Sequence, residues 1–506
     1  MLRDSDTAVT AAGARLWAQP EWAARAAIVT TEETMTYADL YRQVSRAAGA
    51  LLAAGVQRGD YVAVAMERSP AQLVAILGAM AAGACPCPLE PRLAHEETAR
   101  RVAAVGLGWM LFDDAHAATA QASGLADARL LPAAGLARGE AAWPAVAPDP
   151  RDPGLLLFTS GSTGHPKGVL LSHGGLMNNA RGVLAHTGLT PADRLLHVMP
   201  LHHTNALNNQ VFAPLLAGAC VALAGRFRAE DMPGLLQAWR PTIITGVPTM
   251  YARMLDLPFD ASSLAGLRFA RCGSAPITEA LHQRIEAFLG CPLIVSYGLS
   301  EATCTSTMNP PAARRIGSVG TVLAGQRVTL RLPDGREAPA GGEGEICIEG
   351  ASLMLGYLGV AQEPAQAAPA RLATGDLGRF DADGYLSITG RIKDVIIRGG
   401  ENISPALIEG VVTAMAGVAA CCVVGAPDDD LGEVPVAFVQ RAAQDMALAA
   451  AAPQAPAIRT EVLARLGRIY VPKAVWWVDS LPENAVGKVD RKALARRAAS
   501  MDPGIV

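Results

Sequence analysis

The run Leu157-Phe158-Thr159-Ser160-Gly161-Ser162-Thr163-Gly164-His165-Pro166-Lys167-Gly168 holds the residues of this chain best suited to chemistry. An apolar stretch leads into three glycines, four hydroxyls and a lysine. Glycines let backbone N–H groups approach a phosphate closely, hydroxyls add donors, and lysine adds positive charge. The spacing is not that of a P-loop: Pro166 stands five residues after Gly161, and Lys167 is followed by Gly168 instead of Ser or Thr. Nor is there a dinucleotide fingerprint, since Gly106-x-Gly108 ends in Leu111 where the last glycine belongs. A flexible Ser/Gly/Thr linker is the competing reading, but linkers seldom follow a buried strand or end on a Pro-Lys pair.

Other reactive residues follow in order. Pro200-Leu201-His202-His203 sets two imidazoles side by side, and Gly273-Ser274-Ala275-Pro276 is a turn of small residues. Tyr297-Gly298-Leu299-Ser300-Glu301 joins an aromatic ring to a carboxylate, and Thr374-Gly375-Asp376 and Gly390-Arg391 supply an acid and a base. Gly399-Gly400-Glu401-Asn402-Ile403 and Pro482-Glu483-Asn484-Ala485-Val486-Gly487-Lys488 lie toward the C-terminus. Each has a plain alternative. Tyr297 alone reads as a core aromatic, Glu301 and Lys488 as solvated charges, Asp376 as the end of a turn, and Arg391 as the cap of a strand.

In this order the runs resemble the motifs of the AMP-binding adenylate-forming superfamily, which includes acyl-CoA synthetases, peptide-synthetase adenylation domains and luciferases. The resemblance spans residues 159 to 488, and Thr36-Tyr37 and Gly59-Asp60 fit its N-terminal part. It implies an ATP-dependent acid:CoA ligase that passes through an acyl-adenylate, with ATP, Mg²⁺ and coenzyme A as cofactors or co-substrates. Thr159, Ser160, Gly161, Ser162, Thr163, Gly164 and Lys167 would grip the phosphates. Gly273, Ser274, Ala275 and Pro276 would flank the adenine, and Tyr297, Gly298 and Ser300 would carry its stacking face. Asp376 would hold the ribose, and Arg391 would reach the ribose or the α-phosphate. A carboxylate is useful beside a triphosphate only with a cation between them, so Glu301, helped by Thr163, would reach Mg²⁺.

Of the two imidazoles, His203 fits the motif better and would meet the acyl carboxylate, with His202 behind it. Lys488 would bind the carboxylate and α-phosphate as charge builds in the transition state. Lys393 would be the hinge, and Gly399, Gly400 and Glu401 would line the CoA tunnel.

The stretch His203-Thr204-Asn205-Ala206-Leu207-Asn208-Asn209 lacks the acidic residue that amino-acid adenylation enzymes place there, which disfavours an amino-acid substrate. Asn205, Asn208 and Gly298 are candidates for the acyl pocket, although the asparagines serve equally well as helix caps. Malonyl-CoA synthetases resemble the chain at Gly273–Pro276, yet carry an arginine where this chain has Gln283. That motif gives no support for a dicarboxylate. With no carrier-protein segment in view, free CoA is the expected acceptor. The alternatives are an acyl-AMP ligase that loads a separate carrier protein, and a non-catalytic nucleotide-binding regulator.

The elements that must position these residues follow from composition and pattern. The 506 residues are 51% hydrophobic and 18% charged, enough for a large core and unlike a disordered chain. With 43 Lys+Arg against 47 Asp+Glu, the net charge of −4 leaves no basic excess for a polyanion, so nucleic-acid binding is not expected. The longest apolar run, Leu73 to Cys85, is thirteen residues and falls short of the roughly twenty a membrane span needs. The N-terminus reads as neither secretory nor transit signal, and nine cysteines without a paired framework suit a reduced, cytoplasmic core. The partner expected is a small carboxylic acid, and oligomeric state is open.

Thr36 and Asp39 predict a capped helix with Leu40, Val44, Ala47 and Leu51 on its inner face. Tyr61–Ala65 predicts a strand, and Cys85-Pro86-Cys87-Pro88 a turn. Alternating strands and helices to about residue 330 predict layered α/β sheets, largely parallel. Short runs between about 315 and 390 predict antiparallel strands in a small barrel or sheet. Beyond Arg391 the pattern is a separate α+β unit, with Ala-rich residues 442–456 as a surface insertion. The expected fold is thus α/β: a large N-terminal domain (1–391) of layered sheets with a small β-barrel-like part, plus a small mobile α+β C-terminal domain (392–506).

Overall fold

The computed structural model describes residues 2–141, 143, 148–159, 167–359, 369–398, 401–428, 430–442, 453–483 and 489–500. Ser160, Gly161, Ser162, Thr163, Gly164, Gly399, Gly400 and Lys488 lie outside the described residues, as does most of the Ala-rich segment.

The capped helix is Tyr37–Ala53. Thr36 and Asp39 close a reciprocal box, each side chain accepting from the other's backbone N–H at 3.1 Å. Its inner residues Leu40, Val44, Ala47 and Leu51 are fully buried, against the helix Pro70–Ala81. A Cβ at Gly78 would stand 2.5 Å from that of Ala47, so glycine sets how closely the two helices pack.

Nine strands form the main sheet, in the order Thr321–Val322, Thr307–Met308, Leu293–Tyr297, Phe269–Cys272, Ile243–Gly246, Arg194–His197, Cys220–Leu223, Ala26–Val29 and Thr34–Thr36. The six from Leu293–Tyr297 to Ala26–Val29 run parallel, and parallel strands buried on both faces read as continuous apolar runs. A second parallel sheet is Cys85–Pro88, Tyr61–Ala65, Trp109–Phe112 and Leu130–Pro132. The strands Pro153–Thr159 and Lys167–Ser172 form an antiparallel hairpin, flanked by Gly356–Leu358.

One expectation is corrected. Cys85–Pro88 is not a turn but an edge strand beside Tyr61–Ala65. Cys85 N–H donates to Asp60 and Leu89 N–H to Val64. The two prolines therefore occupy the alternate positions, whose missing N–H groups point away from the sheet.

The short strands between 315 and 390 form a four-stranded antiparallel sheet: Gln326–Arg331, Glu343–Gly350, Leu372–Phe380 and Leu386–Arg391. A brief helical turn, Ile392–Asp394, leads to the smaller C-terminal α+β domain. There a hairpin, Ile396–Arg398 with Glu401–Ile403, joins the long pair Val418–Asp428 and Gly432–Arg441, and Ala474–Val478 adds in parallel. The helices Pro405–Thr413, Ala455–Leu466 and Arg491–Ser500 pack on this sheet. Among the described residues no helix is long and apolar enough to cross a membrane.

Candidate active site

Ligands of open parallel sheets bind beyond the carboxyl ends of the strands. Two strand ends of the main sheet carry sequence-predicted residues. Phe269–Cys272 leads into Gly273-Ser274-Ala275-Pro276, where Ser274 adopts a left-handed φ of 66°. Leu293–Tyr297 leads into the tight turn Ser300–Ala302.

Tyr297, at the strand end, donates its hydroxyl to Asp376 at 2.8 Å. Burial, with the Asp376 charge beside it, pushes the phenol above its ordinary range. Asp376 is 6% exposed and accepts on its other oxygen from Arg391 Nε at 2.6 Å. The two face each other in strand register, Asp376 opposite Arg391. The bond to Asp376 raises the Arg391 guanidinium. Gly298 is required by a close approach, since a Cβ there would stand 1.8 Å from the Cys304 carbonyl oxygen.

Glu301 accepts from the hydroxyl of Tyr357 at 2.8 Å, and burial and the Glu301 charge raise that phenol. Lys167 Nζ lies 5.8 Å from the Tyr357 ring centroid. Lys167 opens its strand opposite Thr159, so the described ends of the predicted phosphate run are clamped together. Tyr357, which the sequence reading missed, is the link between that hairpin and the Tyr297–Glu301 turn. Its single signal was a tyrosine after Gly356 in a short strand that pairs with Lys167–Ser172.

Ser300 Oγ lies 3.0 Å from Thr204 Oγ1 and so joins the histidine segment to the same turn. That segment is anchored from behind. Arg68 donates to the carbonyls of His197, Met199 and Ala224 and to His197 Nδ1. His197 is therefore protonated on Nε2, which donates to Ala206 at 2.9 Å. The His202 and His203 rings stand 4.4 Å apart. Burial above all, then the neighbouring His203, Arg101 and Arg92, pushes His202 down to about 3.

Asn205 and Asn208 do not cap a helix. They lie within an unusual one, the π-helix Asn205–Phe212, which has no side-chain cap. Such wide turns occur preferentially at functional sites. Asn208 is fully buried and donates to Asn179 at 2.9 Å. Asn205 Oδ1 accepts from Asn209, which also reaches Thr305 at 2.8 Å. Lys393 is exposed on the turn between the two domains, and Glu401 is exposed in the hairpin opposite Arg398.

Buried neutral histidines make stability depend on pH. His173 is pushed down to about 4 by burial, and neither of its ring nitrogens has a partner among the described residues. Both His173 and His202 lie below the unfolded value of about 6.5. Above pH 6.5 neither state binds these protons; below it only the unfolded chain does, so stability falls with pH until the folded values are reached. Each group is expected to cost about 2 kcal/mol at pH 5. Denaturant midpoints at pH 7.5, 6 and 5 check this, and a flat profile contradicts it.

A family model of AMP-binding enzymes matches residues 16–358, and one of the AMP-binding enzyme C-terminal domain matches residues 407–488. The chain is 36% identical over 474 residues to a feruloyl-CoA synthase of Amycolatopsis sp, covering 92% of this chain and 94% of the relative. It is 37% identical over 470 residues to a sulfoacetate–CoA ligase of Cupriavidus necator, covering 88% and 89%. The crystal structure of ATP-bound MatB from Rhodopseudomonas palustris superposes with a TM-score of 0.86 at 29% identity, covering 97% of this chain and 99% of that one. With both family models matched, and a turn at Tyr297–Glu301 tied to the phosphate hairpin, the histidine segment and Asp376, the chain belongs to the AMP-binding enzymes, the adenylate-forming acid:CoA ligase superfamily.

Proposed function

We propose that the chain joins a small carboxylic acid to coenzyme A at the expense of ATP, with an acyl-adenylate between the two half-reactions. The observation that carries this reading is the three-way junction at Tyr297–Glu301. One short turn touches Asp376, Tyr357 with Lys167, and Thr204 beside His203. Sugar, phosphate and acid would thus be held against one another by a single rigid segment, which is what an in-line displacement demands.

In the first half-reaction the substrate carboxylate attacks the α-phosphorus of ATP and pyrophosphate leaves. Lys167 and the Thr159–Gly164 run hold the β- and γ-phosphates, and Gly273–Pro276 and Tyr297 hold the adenine. Asp376 accepts from the ribose hydroxyls through lone pairs that Tyr297 and Arg391 leave open. His203 lies against the acid, which extends toward Asn205, Asn208 and Gly298. In the second half-reaction the CoA thiol attacks the acyl carbonyl and AMP leaves. The body through residue 391 stays fixed while 392–506 turns about Lys393, presenting first Lys488 and then the Gly399–Ile403 segment.

Glu301 fits a magnesium role. One of its oxygens is taken by Tyr357, and among the described residues no three His, Cys, Asp or Glu side chains gather into a metal cage. Mg²⁺ commonly takes one or two carboxylates and completes its shell with phosphate and water. When bound there, with Thr163, it would neutralise phosphate charge.

The relatives named above are, by name, ligases or synthases of CoA esters, whereas their acids differ, so the acid comes from the pocket and not from kinship. Acid-dependent pyrophosphate release across a panel of acids, with and without CoA, tests the reading. Turnover and AMP release are expected only with CoA present. Adenylate formation that CoA does not discharge would favour the carrier-loading alternative.

A further inference from the structure

Arg271 is a charged residue in the middle of a buried strand. Phe269–Cys272 runs between Ile243–Gly246 and Leu293–Tyr297 in the main sheet, and Arg271 is 3% exposed. It shares a face with Phe269, which packs with Ile243 and Ile294. Two residues on, the strand opens into Gly273 and the predicted adenine loop.

Its partners are too few. Nη1 donates to the Asn209 carbonyl in the π-helix at 3.2 Å; among the described residues this is its one hydrogen bond, and no carboxylate pairs with it. Burial lowers the guanidinium to about 10, which leaves it charged at neutral pH. The acidic groups that act on its charge are the Cys304 thiol, pushed up to about 11 by burial, and the Tyr251 phenol, which burial also raises. Both are neutral at pH 7 and cannot serve as counter-ions. Beside it in strand register stands Thr245, whose buried hydroxyl has no partner among the described residues.

Arg68 is the internal control. It is only half-buried and lowered to about 9, and it donates to three carbonyls and an imidazole. That satisfied pattern belongs to a structural clamp. An arginine buried with one hydrogen bond and no carboxylate partner among the described residues carries a desolvation cost that those contacts do little to offset. A planar fork of N–H donors suits a carboxylate or another oxyanion.

We propose that Arg271, with Thr245, receives a second anionic group of the substrate, so that the preferred acids end in a carboxylate or sulfonate at the end remote from the carboxyl that is activated. This rests on the acid:CoA ligase reading and names its substrate class. Asn209, which holds Arg271 through its carbonyl, sits in the π-helix that directly follows His203. The remote anion and the activated carboxylate would therefore bind to one continuous segment.

The test compares acids of matched length: propanoate and butanoate against malonate, succinate, sulfoacetate and 3-sulfopropanoate. Acid-dependent pyrophosphate release with CoA gives kcat/KM for each, and the carboxylate and sulfonate arms separate the two anions. The wild-type enzyme is expected to favour acids with a terminal anion by at least about 100-fold. Arg271→Met is expected to collapse that ratio to near one, chiefly through KM, and Arg271→Lys to restore part of it. A wild-type preference for methyl-ended acids would overturn the inference and leave the ligase reading standing. Pyrophosphate release with none of these acids, nor with acids of any further class, would instead sink the ligase reading itself. Should Arg271→Met fail to fold, the wild-type ratio decides alone.

Discussion

Lys488→Ala is expected to slow acyl-adenylate formation by about 1,000-fold and to leave the conversion of premade acyl-adenylate to thioester within a few-fold of wild type. The scale is that of removing one preorganised donor from a developing anion, about 3–4 kcal/mol. All nine histidines lie at or before His282, so the C-terminal domain has no imidazole to offer and works through a cation. The scaffold around the lysine is fixed. Glu483 and Val489 bridge on either side of it, and Asp490 N–H donates to the Pro482 carbonyl at 2.7 Å. Arg491 then binds Glu409 at 2.8 Å and the Val423 carbonyl at 2.9 Å. Pyrophosphate exchange and thioester formation, measured separately, decide the matter. If both fall together, one domain does not serve two half-reactions in turn.

Gly298→Ala is expected to abolish turnover, by more than about 1,000-fold, and to lower the melting temperature by several degrees. A methyl there meets backbone on three sides: the Cys304 oxygen at 1.8 Å, the Cys304 carbonyl carbon at 2.7 Å and Thr305 Cα at 2.8 Å. The obstructing segment has little freedom to move. Thr303 and Cys304 already hold φ of 52° and 88°, unusual for residues with side chains. Cys304 N–H and Ser306 N–H close the turn onto Leu299 and Tyr297. Overpacking of this kind costs about 1–3 kcal/mol, and the displaced turn loses its hold on Asp376, Thr204 and Tyr357 together. Calorimetry and steady-state rates check both parts; an active, undisturbed Gly298→Ala enzyme would contradict this account of the junction.

Where local chemistry dictates structure, the chain was readable. The Thr36–Asp39 box began its helix as expected, and Tyr61–Ala65 is a strand at the expected bounds. Cys85–Pro88 misled because proline content signals a turn, while its permissibility depends on which side of an edge strand lacks a neighbour. The π-helix was invisible because its wider hydrogen-bond register leaves no distinct mark in hydrophobic spacing. Site residues in contiguous motifs were legible. Tyr357 and Thr204 were not, since each matters through a partner 56 or 96 positions away. Arg271 did leave a trace, a charge inside an apolar strand, whose meaning depends on the partners it lacks.

Asp376 has one further consequence. Its carboxylate ties Tyr297 of the main sheet to Arg391, the last residue before the turn that leads to the C-terminal domain. Any ligand that draws Arg391 away from Asp376 alters the free energy of the interdomain connection, and linkage is reciprocal. If the C-terminal domain turns as proposed, its orientation must then change nucleotide affinity by the same factor by which nucleotide changes the orientation. A substitution at Arg391 would then be expected to uncouple the two equilibria.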